Sequence, residues 1–150
     1  MEVSVDIKIG APKAAVWETI TDIDQWADTI SEIMSLEVLH RPKDGLMGLK
    51  WSETRKVFGK VSTETMWVTE AEDQSFYRTR AESHGAVYTS KLSIVESGGA
   101  TLLTQSFSMT SNSMLSKLLS FVWGGILKRS LKKLILADLN DVKARVESRA

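Results

Sequence analysis

Cysteine is absent from the 150-residue sequence, and histidine occurs only 2 times. Without cysteine, disulfide bridges, thiolate zinc sites, iron–sulfur clusters and cysteine nucleophiles are excluded. His40 and His84 lie on different predicted elements without a nearby cluster of carboxylates, and neither an HExxH motif nor a phosphate-binding glycine loop occurs. The sequence therefore predicts no metal site and no cofactor.

Long apolar runs and prolines are also scarce. Glu2, Asp6 and Lys8 interrupt the apolar residues at the N-terminus, so no signal peptide is predicted and a cytoplasmic location is expected. The most apolar stretch covers about 14 residues, whereas a membrane-spanning helix needs about 20, so stable membrane insertion is not expected. With 2 prolines, a 43% apolar fraction and no linker or internal repeat, the chain fits one domain over residues 1–150.

Neither sign of charge is in excess overall, but the distribution is uneven. The formal net charge is +0, yet residues 1–40 carry eight acidic side chains against two basic ones, and residues 111–150 carry eight basic against three acidic ones. The acidic N-terminal segment argues against contact with phosphates, so no nucleic-acid partner is expected. The basic C-terminal segment indicates either a solvated helix face or weak attraction to anionic lipid or an acidic partner.

Alternation and helical spacing divide the chain into elements. Apolar residues alternate with polar ones from Val3 to Ile9, which predicts a strand with one buried face. Pro12 suits the first turn of a following helix, and a second short helix capped by Asp22 or Asp24 is predicted after it. Six further strands are predicted at Ile33–His40, Leu49–Phe58, Lys60–Glu70, Ser75–Glu82, Val87–Glu96 and Thr101–Met109.

A single long helix is predicted at the end of the chain, from Met114 to Glu147. The connections between the strands are short, which favours antiparallel neighbours. Seven strands, two small helices after the first strand and a long helix after the last strand indicate an α+β fold. In that fold the sheet curls around the terminal helix and leaves a cavity between them.

Three segments of the sequence carry a family resemblance. The opening IGAPKAAVWETITDIDQWADTI, the hairpin GLKWSETRKVFGKVSTETMWVTE and the ending MLSKLLSFVWGGILKRSLKKLILADLNDVKARVES resemble the polyketide cyclase/dehydrase branch of the START-like (SRPBCC) superfamily. The resemblance covers essentially the whole chain. It implies a helix-grip fold with a deep apolar cavity, and relatives that include lipid and hormone carriers, aromatases, cyclases and chaperone activators.

The strand that follows Leu49 places two charged residues on its more apolar face. Trp51, Glu53 and Arg55 share this face because side chains alternate along a strand, and we expect the face to line the cavity. Buried charges need partners. Glu53 and Arg55 are two residues apart on one face of the strand, so their side chains can reach each other. A Glu53–Arg55 pair is therefore feasible. It would stabilise the interior of the sheet, lie on the solvent face, or supply polar groups that orient a ligand.

The remaining strands supply mainly apolar positions to the predicted cavity. Met66 is expected to point inward, and Trp67 to lie at the rim or on the outer face of the sheet. A few hydrogen-bonding groups among apolar walls are typical of a small-molecule pocket, although core packing is the better explanation for each apolar residue taken singly. The other predicted cavity residues are Tyr88, Ser90, Leu92, Leu103, Gln105, Phe107 and Met109.

The first half of the terminal helix is apolar on nearly every side. This segment, Met114–Leu127, is expected to be buried on several sides, to contact a second copy of the chain or to touch lipid. We include Trp123 among the predicted ligand-binding residues. Gly124 and Gly125 disfavour a helix, so they are expected either to leave room for a ligand or neighbour, or to let the helix bend.

The sequence predicts binding of a hydrophobic or amphipathic small molecule, such as a lipid, an isoprenoid or an aromatic polyketide. The first alternative is an aromatase, cyclase or dehydratase, in which Tyr88, Glu53, Arg55 or His40 could act as acid or base. The second alternative is a protein-interaction module, for example a homodimer, that uses the apolar part of the terminal helix.

Overall fold

Seven antiparallel strands form one curved sheet in the computed structural model, in the order β1-β7-β6-β5-β4-β3-β2. The structure describes the backbone of residues 2–57, 59–83, 85–111 and 114–149, and the side chains of these residues outside 111–127. The strands are β1 Glu2–Ile9, β2 Ile33–His40, β3 Lys50–Val57, β4 Lys60–Glu72, β5 Phe76–Ser83, β6 Ala86–Ser97 and β7 Ala100–Ser111. The predicted strands are confirmed, with ends that shift by no more than two residues.

Hairpin connections make β2 to β7 neighbours in chain order, and β1 closes the other side of the sheet against β7. Glu2 lies opposite Ser108 and Ile9 opposite Thr101 in this last pair. The two-residue turn between β6 and β7 consists of Gly98 and Gly99, with φ values of 61° and 79°. Both values fall in the left-handed region that a tight hairpin turn requires, which explains why two glycines occur there.

The helices are α1 Lys13–Thr21, α2 Trp26–Thr29 and α3 Met114–Ser148, and a 3-10 turn, Ile23–Gln25, links α1 to α2. The long terminal helix is confirmed. The predicted cap by Asp22 or Asp24 is wrong, because neither the turn nor α2 has a side-chain cap. The Asp24 carboxylate instead accepts two hydrogen bonds from Arg41, at 2.9 and 2.8 Å, on the surface.

The second half of α3 packs its apolar stripe onto the sheet. Ile135, Leu139, Val142 and Val146 are buried together with residues of β1, α1 and β7. This arrangement confirms the helix-grip architecture that the order of elements predicted. Within the described parts of the chain, no helix is both long and apolar enough to span a bilayer.

Polar contacts fix the position of α3 over the sheet near its C-terminal end. Glu147 Oε2 accepts a hydrogen bond from the Gly10 amide at 2.9 Å, and Lys143 Nζ donates to the Lys8 carbonyl at 2.7 Å. Asp141 Oδ2 accepts bonds from the amide and the hydroxyl of Ser31, at 3.0 and 2.8 Å. These contacts hold one end of the helix against β1 and the residues after α2, so that the preceding turns of the helix cover the concave face of the sheet.

Candidate functional site: a cavity between the sheet and the terminal helix

A cavity of about 470 Å³ lies between the concave face of the sheet and the second half of α3. Inward-facing positions of five adjacent strands, β3 to β7, form one side of it, and Trp26 lies at its edge. Four residues of α3 form the other side. The cavity residues are Trp26, Trp51, Glu53, Arg55, Val57, Ser62, Glu64, Met66, Tyr77, Thr79, Ala81, Tyr88, Thr89, Ser90, Leu92, Gln105, Phe107, Met109, Leu131, Leu134, Ile135 and Asp138.

A charged cluster lies on the cavity wall where β3 meets α3. The Arg55 guanidinium contacts two carboxylates: its Nη1 lies 3.1 Å from Asp138 Oδ2, and its Nε lies 3.8 Å from Glu53 Oε1. The Glu53–Arg55 contact is the pair that the alternation of β3 predicted. Arg55 donates a hydrogen bond to Asp138, whereas its contact with Glu53 is an ion pair at longer range. One cation therefore serves two carboxylates from different elements.

Burial dominates the electrostatics of this cluster. Desolvation raises the pKa of Glu53, and Asp138 adds to that rise, while Arg55 and the Trp51 indole oppose it. Desolvation likewise raises the pKa of Asp138 against the opposing effect of Arg55. Desolvation lowers the pKa of Arg55, but the Asp138 and Glu53 carboxylates together outweigh it, so the pKa is raised and Arg55 stays charged. The cluster thus combines a permanent cation with two carboxyl groups that take up protons more readily than exposed ones.

Several polar atoms of the cluster are buried without a hydrogen-bond partner. They are Trp51 Nε1, Glu53 Oε2, Arg55 Nε and Asp138 Oδ1. The Trp51 indole lies near enough to Glu53 to lower its pKa, but the contact does not meet hydrogen-bond geometry. Native interiors leave few buried polar groups unpaired, because each one costs free energy. The four atoms include donors and acceptors, and they belong to side chains of one part of the cavity wall.

The rest of the cavity wall is mainly apolar and aromatic. Tyr88 and Phe107 contact each other across β6 and β7, with ring centroids 6.1 Å apart. Burial and the nearby Glu64 carboxylate raise the pKa of the Tyr88 hydroxyl, so it stays protonated at neutral pH. In the described part of the chain this hydroxyl has no hydrogen-bond partner. It can therefore bind a polar atom of a molecule inside the cavity.

Tyr77 is an aromatic residue of the cavity wall with a structural contact. Its buried hydroxyl donates a 2.6 Å hydrogen bond to the Ile20 carbonyl near the end of α1. Its ring also contacts Trp17 edge to face, at 6.1 Å between centroids. Tyr77 therefore ties α1 to the sheet, while one side of its ring faces the cavity.

The structure brings most of the predicted site residues together. Those that line the cavity are Trp51, Glu53, Arg55, Met66, Tyr88, Ser90, Leu92, Gln105, Phe107 and Met109. Leu103 shares a face with Gln105 but lies outside the cavity, fully buried in the core. The reason is its register: Leu103 lies opposite Ile7 and Ile94, at the end of the sheet that the C-terminal turns of α3 cover.

The side-chain positions test three other sequence predictions, and two more concern side chains that the structure does not describe. His40 is exposed and lies away from the cavity, so its suggested role as an acid or base there is wrong. Trp67 lies on the outer face of the sheet, where Lys50 Nζ is 5.9 Å from its ring centroid. Met66 points inward as predicted. The side chain of Trp123 and the packing around Gly124 and Gly125 lie outside the described residues.

Sequence reasoning missed the contribution of β5 and of the second half of α3 to the cavity. Asp138 stands in the apolar stripe of α3, four residues after Leu134 and three after Ile135, and this placement could have marked it as inward-facing. Tyr77, Thr79 and Ala81 alternate along β5, a period-2 signal that was equally available. In the described part of the chain, no group of three or more potential metal ligands lies together.

The comparisons with known proteins agree with this geometry. A family model described as "Polyketide cyclase / dehydrase and lipid transport" matches residues 1–147. No curated protein matches the sequence significantly.

Solved structures with low sequence identity share the fold over nearly the whole chain. A START superfamily protein from Mycobacterium smegmatis is 17% identical, with a TM-score of 0.83 and coverage of 99% of both chains. The Zhui aromatase/cyclase from Streptomyces sp. R1128 is 17% identical, with a TM-score of 0.83, and the match covers 99% of this chain and 94% of that one. A protein from Thermus thermophilus is 16% identical, with a TM-score of 0.82 and coverage of 100% of this chain and 99% of that one.

At such identities these structures establish the fold, whereas the family model establishes membership. The family model matches almost the entire sequence. The curved sheet and the long terminal helix have the arrangement of the helix-grip fold, with a partly open cavity between them. The chain therefore belongs to the polyketide cyclase/dehydrase and lipid transport family.

Proposed function

We propose that the chain binds an amphipathic small molecule in the cavity between the sheet and α3. The observation that carries this proposal is the combination of a mainly apolar cavity of about 470 Å³ with the charged cluster of Glu53, Arg55 and Asp138 in its wall. A volume of this size lies in the range of small-molecule pockets, about 300–1,000 Å³. Lipids, isoprenoids and aromatic polyketides are ligand classes with this combination of an apolar body and a polar group.

The two kinds of wall orient the proposed ligand. Leu92, Phe107 and Leu131 contact its apolar body, and the hydrophobic effect supplies most of the binding free energy. The charged cluster of Glu53, Arg55 and Asp138 faces its polar end. Because Arg55 is already balanced by two carboxylates, a hydroxyl or carbonyl group fits this end better than a second anion.

The family assignment supports ligand binding without choosing a ligand. The description of the family joins cyclisation and dehydration of polyketides with lipid transport. One structural relative is an aromatase/cyclase, but at 17% identity its activity does not transfer by similarity alone.

Native mass spectrometry of freshly purified protein, followed by organic extraction, tests the proposal. We expect an apolar adduct at about one molecule per chain, because a cavity of this size holds one small ligand. Filling the cavity by Ala81→Phe should remove the adduct. Glu82→Phe adds the same ring to the neighbouring residue on the outer face of β5 and should retain it. A protein that stays free of ligand when incubated with fatty acids, isoprenoids and polyketides would contradict the proposal.

Acid–base catalysis on the bound molecule is the second candidate, and the position of Glu53 favours it. This residue lies on the cavity wall with only 7% of its surface exposed, and burial raises the pKa of its carboxyl group. A carboxyl group with a raised pKa is protonated over a wider pH range than an exposed one, which suits it to act as a general acid. For an aromatase, cyclase or dehydratase, Glu53→Gln should abolish turnover while ligand binding persists. A carrier would show equal ligand binding for both proteins and no chemical change in the extracted compound.

A further inference from the structure

We propose that the cavity selects amphipathic ligands that carry a positively charged nitrogen, with the Glu64 carboxylate as the counter-ion. Glu64 belongs to β4 and lines the cavity. This inference rests on the proposed function and adds the sign of the ligand's charge to it. An amine with an apolar body is then a good ligand, and a fatty acid of the same size is a poor one.

The charged side chains of the cavity wall do not balance each other. Three of them are acidic, namely Glu53, Glu64 and Asp138, and only Arg55 is basic. No lysine or histidine lines the cavity in the part of the chain whose side chains are described. Arg55 is already shared, because it contacts Asp138 at 3.1 Å and Glu53 at 3.8 Å. The wall therefore has a surplus of negative charge, and Glu64 is the acidic residue that is left without a cation.

The Glu64 carboxylate has a hydroxyl group as its partner. Ser62 Oγ donates a hydrogen bond to Glu64 Oε1 at 3.3 Å. Among the described residues, no arginine, lysine or histidine forms an ion pair with Glu64. The side chain is partly buried, so water hydrates it only in part. A carboxylate in these surroundings is stabilised by any cation that enters the cavity.

The structure of the sheet does not explain an acidic residue at this position. Glu64 lies directly opposite Glu53 in the pairing of β4 with β3, and both residues face the cavity. Like charges at opposite positions of two strands lower the stability of a sheet. An uncharged residue at position 64 would avoid this cost, so the carboxyl group points to a role toward a molecule in the cavity.

The space beside Glu64 suits an ammonium group. Met66, Ala81 and Tyr88 are aligned across β4, β5 and β6, and Glu64 lies two residues before Met66 on the same face. Ala81 has only a methyl group, which leaves room between Glu64 and Tyr88 on the cavity side. Burial and the Glu64 carboxylate both raise the pKa of the Tyr88 hydroxyl, so the two side chains are close enough to interact. An ammonium group between them can donate to both oxygens.

Other groups of the cavity wall favour the same charge. The rings of Tyr88 and Phe107 line the cavity, with centroids 6.1 Å apart. The face of an aromatic ring attracts a cation. Glu53 is only 7% exposed, and its Oε2 has no hydrogen-bond partner in the described part of the chain. The rings and this second carboxyl group both favour a positive charge in the cavity over a negative one.

Calorimetric titration of the full chain with three decyl compounds tests the inference. Decylamine, decanol and decanoic acid share one apolar body and differ in charge at neutral pH. We expect decylamine to bind at least about tenfold more tightly than decanol, because a hydrogen bond to a charged group is worth at least that factor. Decanoic acid should bind most weakly. Glu64→Gln should reduce the affinity for decylamine to that for decanol and leave the affinity for decanol within about twofold.

Glu72→Gln is the matched control, because it removes the same charge from an exposed position of the same strand, outside the cavity. It should bind decylamine like the unaltered protein. Equal affinities for decylamine and decanol, tighter binding of decanoic acid, or equal losses in the two variants would each overturn the inference. Decanol binding that Ala81→Phe abolishes would leave the proposed function intact under those outcomes, whereas failure of all three compounds to bind would contradict both.

Discussion

Arg55 of β3 and Asp138 of α3 form an ion pair at 3.1 Å, which joins the sheet to the terminal helix across one side of the cavity. Glu53 contacts the same guanidinium from the strand. The cluster is both a structural link between two layers of the fold and the most polar part of the proposed ligand site. Its two roles lead to different experimental signatures.

Removal of the shared cation should cost more stability than removal of one anion. Arg55→Met leaves Glu53 and Asp138 buried without their cation, and we expect the free energy of unfolding to fall by about 3–5 kcal/mol. Asp138→Asn keeps Glu53 beside Arg55 and should cost about 1–3 kcal/mol. Urea denaturation of the two variants measures the difference. If Asp138→Asn were the more damaging change, Arg55 would not be the centre of the cluster.

The raised pKa of Glu53 predicts that its charge opposes folding at neutral pH. A carboxyl group with a folded-state pKa above its ordinary value of 4.5 binds protons more tightly in the native state. Its contribution to stability is therefore greatest below that value and is lost as pH rises through the folded-state pKa. The unaltered protein should lose stability relative to Glu53→Gln as the pH rises from 4.5 through the folded-state pKa of Glu53.

Urea unfolding of both proteins across this pH range provides the measurement. Only the difference between them is informative, because other groups titrate in the same range. Glu147, for example, has a lowered pKa because it accepts a hydrogen bond from Gly10, and it contributes in the opposite direction. A difference that grows in favour of the unaltered protein with rising pH would contradict the prediction.

Two tyrosines of the cavity should respond differently to loss of the hydroxyl. Tyr77→Phe removes a buried 2.6 Å hydrogen bond to the Ile20 carbonyl and should lower the free energy of unfolding by about 1–3 kcal/mol. Tyr88→Phe removes a hydroxyl without a described partner and should change stability by less than about 0.5 kcal/mol. Chemical denaturation of the pair tests this, and equal losses would show that the Tyr88 hydroxyl has a structural role.

Ligand affinity should show the reverse order for the same two variants. The Tyr88 hydroxyl can bind a polar atom of the ligand, whereas the Tyr77 hydroxyl is already bound to Ile20. With a compound identified by extraction, titration of Tyr88→Phe should show binding weaker by up to about tenfold, the value of one hydrogen bond. Tyr77→Phe should stay within about twofold, provided that it remains folded.

The sequence supports the prediction of elements far better than that of their mutual orientation. Alternation in β3 identified Trp51, Glu53 and Arg55 as one face, because side-chain direction in a strand depends only on position. The partner Asp138 was missed, since its meeting with Arg55 depends on how α3 rotates and slides over the sheet. Leu103 does not line the cavity for a related reason. It lies on the predicted face of β7, but at a position along the strand that α3 covers.

The edge pairing of β1 with β7 has a consequence for the order of folding. Glu2 and Ser108 are 106 residues apart in the chain, whereas the strands from β2 to β7 pair through short hairpins. Contacts between distant residues form late, because a long loop must close first. During synthesis, β1 therefore stays unpaired until β7 has been made. The antiparallel strands β2 to β7 can form before β1 covers the free edge of β7. The cavity is complete only after α3 has packed against the sheet, so the protein can bind a ligand only after this last step of folding.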